Sequence, residues 1–525
     1  MAGKPGALIG WATAGLVATA LLLPILTLLA TGLAEGGASR ALLDARTLGI
    51  LRFTLFQALL STLLAVLPAV LVARALARRS FSGRLVLERL LALPVLVPAL
   101  VAGSALLVLF GRRGFMAGLF EALGLTWPSV YGLAGIVLGH VFLNLPLAVR
   151  ILLPAWAAVP AEQWRLARQL GLGDLARLRL IEAPVLAPRI ARACGIVFML
   201  CFTSFALPMT LGGGPRGATL EVAIYEALRV EADLVRAALL SLVQIAICVA
   251  LVGLGSSVGV ARTGLSAGAP VRVRVEDGRL AKALDGLVLA LALLFLLSPL
   301  AALLQAAAGG PWGAVLSSPM FWLALRNSVL VALGAALLAL VAGTLLVLGG
   351  RGQRGLSGRI GELVGSVPLV TPALALGAGL FLLLRHLVDP AEVALPAIAL
   401  ANGLLGLPYV VAILAPEVAR RELEHGRLCQ ALGISGWTRL RLVDLPTVLP
   451  VAGLAGGLVA AFSLGDFGVV ALFGADQART LPMHLYLQAG SYRSDDAAVT
   501  AVVLVALAAS LMWLVERGLA RAAGR

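Results

Sequence analysis

Long apolar runs set the pattern of this chain. They fall at 8–30, 53–73, 91–110, 132–153, 190–208 and 237–259, and again at 284–304, 328–349, 364–384, 394–415, 449–472 and 497–515. The run from Leu8 to Ala30 holds no charge and one proline, Pro24. About 20 apolar residues suffice to cross the hydrocarbon core of a bilayer. Backbone groups there find no water, so each span must bond internally as a helix. The ten-residue alternation of a membrane barrel is absent. The pattern predicts an all-α integral membrane protein with about twelve transmembrane helices. Lys4 ahead of the first run resembles the start of a signal peptide. Signal cores are typically about 7–15 residues, and this run is longer, so we expect a retained first span.

Charge refines the picture. Only 13% of the residues are charged and 60% are hydrophobic, yet the net charge is +15. The arginines cluster in short loops, chiefly 74–89, 150–192, 262–282 and 420–441. Basic loops stay on the cytoplasmic side. This rule places both termini in the cytoplasm of a multi-pass inner-membrane protein. It also explains the excess charge without nucleic acid, which would need a basic face rather than scattered loops.

The second set of runs repeats the first. Pro94 and Pro98 in LPVLVP match Pro368 and Pro372 in VPLVTP, an offset of 274 (368 − 94). Gly171, Pro184 and Pro188 match Gly433, Pro446 and Pro450, an offset of 262 (446 − 184). The difference lies in a longer loop around 111–132. Each copy holds six spans in the same direction. Parallel repeats of this kind are one transporter plan. We therefore expect a first permease half at 1–259, a cytoplasmic linker at 260–282 and a second half at 283–525.

Two equivalent basic loops carry the strongest signal. The first runs from Pro160 to Pro184, and the second from Glu422 to Pro446. Each reads as helix, turn, helix. Pro160 suits a first helical position, and Gly171 and Gly433 suit a left-handed helix end. Asp174 and Ser435 are candidate caps, and Pro184 and Pro446 disturb the second helix before the next span. Trp164, Leu166, Ala167 and Leu170 form an apolar stripe opposite Arg165, Arg168 and Gln169. Such a helix can lie on lipid headgroups or dock in a soluble partner. Its duplication favours a partner with two-fold symmetry.

These loops resemble the EAA signature of permease subunits of ATP-binding-cassette importers. The first copy reads Arg165-Leu166-Ala167, Gly171, then Ile181 to Pro184; the second reads Arg427-Leu428-Cys429, Gly433, then Val443 to Pro446. Arginine replaces the leading glutamate in both, with Glu162 and Glu424 three places upstream. Stretches around Ser204-Phe205-Ala206, 211–215, 219–228, 465–474, 479–482 and 490–494 are similar to the thiamine importer permeases, with ferric-iron permeases the nearest rival. The resemblance implies the type I importer permease fold and coupling loops that seat on a homodimeric ATPase. It also implies a periplasmic thiamine-binding protein, and ATP and magnesium bound by the partner rather than by this chain.

Other residues add less. Asp466 is the one acid deep in an expected span. Intramembrane charge is costly and marks a candidate functional site, as gate or structural element or as substrate contact. Ser204, Asn144 and Asn402 are further candidates for the pathway, though polar groups between spans commonly bind helices together. The four cysteines and four histidines show no metal-ligand spacing. Neither lysine, Lys4 nor Lys282, follows a phosphate-binding glycine run, so ATP hydrolysis is expected from another chain. An ion-coupled secondary transporter would need ionisable relays in the spans, and these are nearly lacking.

Overall fold

A computed structural model describes residues 4–33, 44–112, 114–157, 159–214, 217–257, 278–351, 356–474, 476–491 and 493–523. Among these residues every regular element is helical. The main helices are α1 (Lys4–Leu33), α2 (Ala45–Arg78), α3 (Ala99–Phe110), α4 (Leu133–Leu152), α5 (Ala161–Gln169), α6 (Ala183–Phe202), α7 (Ala206–Leu211), α8 (Leu220–Arg229) and α9 (Leu234–Ser257). They continue with α10 (Arg279–Ala308), α11 (Pro319–Gly349), α12 (Ala373–Leu384), α13 (Ala394–Ala431), α14 (Leu445–Gly465), α15 (Gly468–Phe473), α16 (Leu481–Gly490) and α17 (Ser494–Ala523). Of the expected linker, residues 260–277 lie outside the described residues, as do Pro215 and Tyr492.

Eleven described helices are long and apolar enough to cross a membrane, and a bent pair makes a twelfth. That pair, Gly361–Val370 with Ala373–Leu384, turns through 97°. The prolines cause the turn. Thr371 is extended (φ −97°, ψ 113°), as the residue before a proline prefers, and Pro372 is extended ahead of α12. The first copy breaks likewise: a 3₁₀ turn at Leu93–Leu96, then extended Pro98, then α3.

The helices form two compact units. One gathers residues 1–47, 221–248 and 311–525. In it α11, α13, α14 and α17 pack on one another, and α1 lies against α11 and α12. Small residues seat α1. A Cβ on Gly10 would stand 2.7 Å from Gly349 Cα, and one on Gly379 would stand 2.5 Å from the Pro24 carbonyl. Such close backbone approach replaces hydrophobic drive where lipid is the solvent. The other unit gathers 48–220 and 249–310. In it α3 packs on α7 and α10, while α4 packs on α6 and α7. The leading helix of each sequence copy thus packs among helices of the other copy, so packing units and repeats are cut differently.

A matching pair of hydrogen bonds keeps the repeat in register. Thr54 Oγ1 accepts from the Leu220 amide at 2.9 Å in one unit, and Ser328 Oγ accepts from the Leu481 amide at 2.7 Å in the other. Thr54 and Ser328 are offset by 274, the same value as the proline pairs. Each hydroxyl supplies an acceptor to the first amide of a short helix, where no intrahelical partner exists.

Candidate functional site

In the first loop α5 is followed by Gly171 at φ +61°; in the second, α13 is followed by Gly433 at φ +66°. Both glycines hold the left-handed conformation expected of them, which a side chain disfavours. The Leu172 amide then donates to the Ala167 carbonyl at 3.0 Å, and the Ile434 amide donates to Cys429 at 2.8 Å. These six-to-one bonds close a Schellman-type end.

The apolar stripe splits between two faces. Trp164 and Ala167 are buried, and Ala167 is 2% exposed, while Leu166 is 54% exposed and Leu170 is also outside. At the equivalent places Gly426 and Cys429 are buried, and Leu428 (55% exposed) and Leu432 face outward. Each loop therefore anchors one apolar pair inward and presents two leucines outward. Glu162 pairs with Arg165 at 3.3 Å, both largely exposed. Glu424 pairs with Arg420 at 2.9 Å and Arg421 at 3.4 Å. Arg427 is exposed.

Two expectations are corrected. The second loop has no separate first helix, because α13 runs unbroken for 38 residues through Pro408 and Pro416. Ser435 occupies a cap position but makes no side-chain cap bond. Pro184 and Pro446 sit near the starts of α6 and α14, and the disturbance lies just upstream, as π-helical turns at Leu178–Glu182 and Leu440–Asp444. A proline has no N–H for the carbonyl four places earlier and its ring crowds that carbonyl, which the wider π turn relieves.

The sequence reading missed the acids in those turns. Glu182 is buried, as is Ile181 beside it. It accepts from Arg74 Nε at 2.8 Å and Nη2 at 3.1 Å, and from Trp156 Nε1 at 3.0 Å. At the equivalent position Asp444 pairs with Arg351 and lies 3.8 Å from Arg439, and both arginines also face Glu422. An acid two places before proline in both copies was the available signal. Val443 is half-buried, and Pro184 and Pro446 are exposed.

The polar residues of the spans form local pairs. Asn144 donates to the His140 carbonyl at 2.9 Å and to Cys201 Sγ at 3.5 Å, while His140 Nδ1 meets Ser61 Oγ at 3.1 Å. Asn402 donates to Ser463 Oγ at 3.0 Å. Ser204 and Asp466 hold equivalent places (466 − 262 = 204), each at a break between a long helix and a short one. Asp466 Oδ1 accepts from the Gly468 amide at 3.1 Å and the Val469 amide at 3.4 Å, capping α15. Its Oδ2 meets no hydrogen-bond geometry, although Asn402 stands beside it.

Next to Asp466, the Phe467 ring lies 4.9 Å from the Tyr486 ring of α16. Burial first, and then the nearby Tyr225 phenol of α8, raise the Tyr486 phenol above its ordinary range. The end of α8 reaches the same region: a Cβ on Gly474 would stand 2.7 Å from Arg229 Nη2. Both tyrosines are half-buried. Among the described residues no three metal-ligating side chains gather.

The comparisons with known proteins agree with this architecture. The family of the binding-protein-dependent transport system inner membrane component matches residues 62–262. The thiamine transport system permease protein ThiP of Salmonella typhimurium is 41% identical over 522 residues, which cover 97% of this chain and 96% of that protein. The proteins of the same name from Brucella abortus and Haemophilus influenzae are 39% and 37% identical, over 94% and 89% of this chain and 92% and 88% of their own lengths.

Proposed function

This chain belongs to the thiamine transport permease family, and from that premise we propose that it carries thiamine or its phosphates from periplasm to cytoplasm by alternating access. Two copies of an ATPase subunit, binding ATP and magnesium, seat on the two EAA-like loops. A periplasmic thiamine-binding protein delivers the substrate on the opposite side. Both termini then lie in the cytoplasm, and the duplicated halves run over 1–259 and 283–525 around the 260–282 linker.

One observation carries the reading: each loop fixes two residues inward, Trp164 and Ala167 or Gly426 and Cys429, and leaves two leucines outward at the same spacing. An exposed apolar pair on a short helix fits a groove in a partner, and its duplication fits a two-fold partner. Gly171 and Gly433 turn the chain back, and Ile181 to Pro184 and Val443 to Pro446 lead into α6 and α14. Closure of the ATPase dimer moves these levers, and the spans rock with them. Glu162, Arg165, Glu424 and Arg427 line the docking face. Asp466 and Ser204 mark helix breaks suited to a gate, while Asn144 and Asn402 hold helices together. The thiamine names of the relatives favour thiamine over ferric iron.

The test is reconstitution of the chain in liposomes with its ATPase and binding protein. We expect ATP-dependent uptake of labelled thiamine and none of ferric iron. We also expect Leu166→Asp with Leu428→Asp to abolish co-purification of the ATPase. Iron uptake, or an unchanged complex, would overturn the substrate or the docking assignment respectively.

A further inference from the structure

The return arms of the two EAA-like loops are tied down in the same way by different residues. Glu182 and Asp444 are equivalent (444 − 262 = 182), and each is the last residue of its π turn. Both acids are buried, whereas Leu180 and Leu442, two places earlier, are exposed. A buried charge is costly unless it is paired. Each acid finds its arginine at the end of the second span of its own copy: Arg74 lies near the end of α2, and Arg351 follows α11. Each pair lies within one compact unit.

The register of the pairing differs between the copies. By the offset of 274, Arg74 corresponds to Leu348 and Ala77 to Arg351, so the arginine has moved by three residues (351 − 348). Three residues are about one helical turn. The acid is one methylene shorter where the arginine has moved. Trp156, which also donates to Glu182, corresponds to Val418 (418 − 262 = 156), and Glu422 and Arg439 complete the second network instead. The copies thus share a link from the return arm to the second span, not a particular set of side chains. In the first copy Arg74 Nε donates to Glu182 Oε2 at 2.8 Å, and Nη2 donates to Oε1 at 3.1 Å. Two parallel bonds of this kind fix orientation as well as distance. Because α6 and α14 begin directly after the acids, each acid joins two spans where its loop returns.

We propose that Glu182 and Asp444 are positioning residues for transport. Each carries a displacement of its loop to the second span, α2 or α11, as well as to the span that follows, α6 or α14. This rests on the ATP-driven transport reading above, and it gives the role to buried side chains behind the docking face.

The experiment uses the full complex in liposomes, with ATPase and thiamine-loaded binding protein. Thiamine uptake and ATP hydrolysis are measured together, and the thermal midpoint of each variant is measured in detergent. Arg74→Met with Glu182→Gln removes both charges at once and leaves Trp156 an acceptor. Replacing a buried pair as a unit is often close to neutral for stability, so the midpoint should stay near that of the unaltered complex. Thiamine moved per ATP hydrolysed should nonetheless fall about fivefold or more. Asp444→Asn, with Glu422 still facing both arginines, should lower the same ratio, and it decides alone if the paired variant does not assemble. Phe142→Leu is the control. It thins the core of the unit that holds Glu182, where Phe142 meets Phe295, and should lower the midpoint with the ratio unchanged. A normal ratio in the paired variant or in Asp444→Asn overturns the proposal. So does an equal fall in Phe142→Leu, since the ratio would then follow stability rather than the link. An unaltered complex that hydrolyses ATP but moves no thiamine overturns the transport reading itself, and the positioning role with it.

Discussion

In the first EAA-like loop, α5 is a separate nine-residue helix, set off from α4 by the turn at Leu153 and by Pro160. In the second, the corresponding residues are the last turns of α13, which continues from its span without a break. The inward and outward residues match, and so do the left-handed glycines and the π turns. The supports differ. The first loop is held at its return arm by one buried acid, Glu182, with Arg74 and Trp156 converging on it. The second has a stiff helix leading in and a four-member network of Arg351, Glu422, Arg439 and Asp444 behind it. One loop is tied at a point and the other by a rod, yet both present the same face. Surface geometry is thus kept while the connection into the spans is not.

The largest effect should come from cutting the point tie. Removing one partner of a buried ion pair costs about 3–5 kcal/mol, so Glu182→Gln should lower the thermal unfolding midpoint in detergent strongly. Asp444→Asn should cost clearly less, because Glu422 remains against both arginines. Equal losses would erase the distinction between the two supports.

Next is the rod. Ala419 is exposed and lies within α13. Ala419→Pro removes a helical hydrogen bond and clashes with the preceding turn, at a cost of about 3 kcal/mol or more. It should uncouple ATP hydrolysis from uptake. The first loop already holds Pro154 and Pro160 at its break. Normal coupling in Ala419→Pro would show that the continuity of α13 carries no force.

The smallest effect tests what the loops share. Gly171→Ala and Gly433→Ala place a side chain in the left-handed region, at about 1–2 kcal/mol each. Open space surrounds both positions, so strain alone acts. The two midpoints should fall by similar amounts, and a difference would mean that the turns are not equivalent.

Much of this was legible in particular residues. Gly171 and Gly433 announced helix ends because only glycine takes that conformation without penalty. Pro94, Pro98, Pro368 and Pro372 marked the repeat, and the helices break beside them because proline restricts both itself and the residue before it. The unbroken α13 was not legible. The expected span ended at 415 and the loop's first helix was expected to begin near Glu422, whereas one helix runs through both and through Pro408 and Pro416, and neighbouring helices in a membrane can satisfy the groups a proline frees. Glu182 and Asp444 were passed over because an acid near a span end gives no hint of which arginine, more than 90 positions away, it will meet.

The sequence by itself determined the spans, the duplication and the two loops. These follow from hydropathy, from local backbone limits and from a register that one chain can show against itself. Tertiary structure alone decided that α1 packs with α11 and α12, that α10 packs with α3, and that Arg74 meets Glu182. In an apolar solvent burial does not choose partners; close fit and polar pairing do. Those depend on surfaces that exist only once the helices are formed.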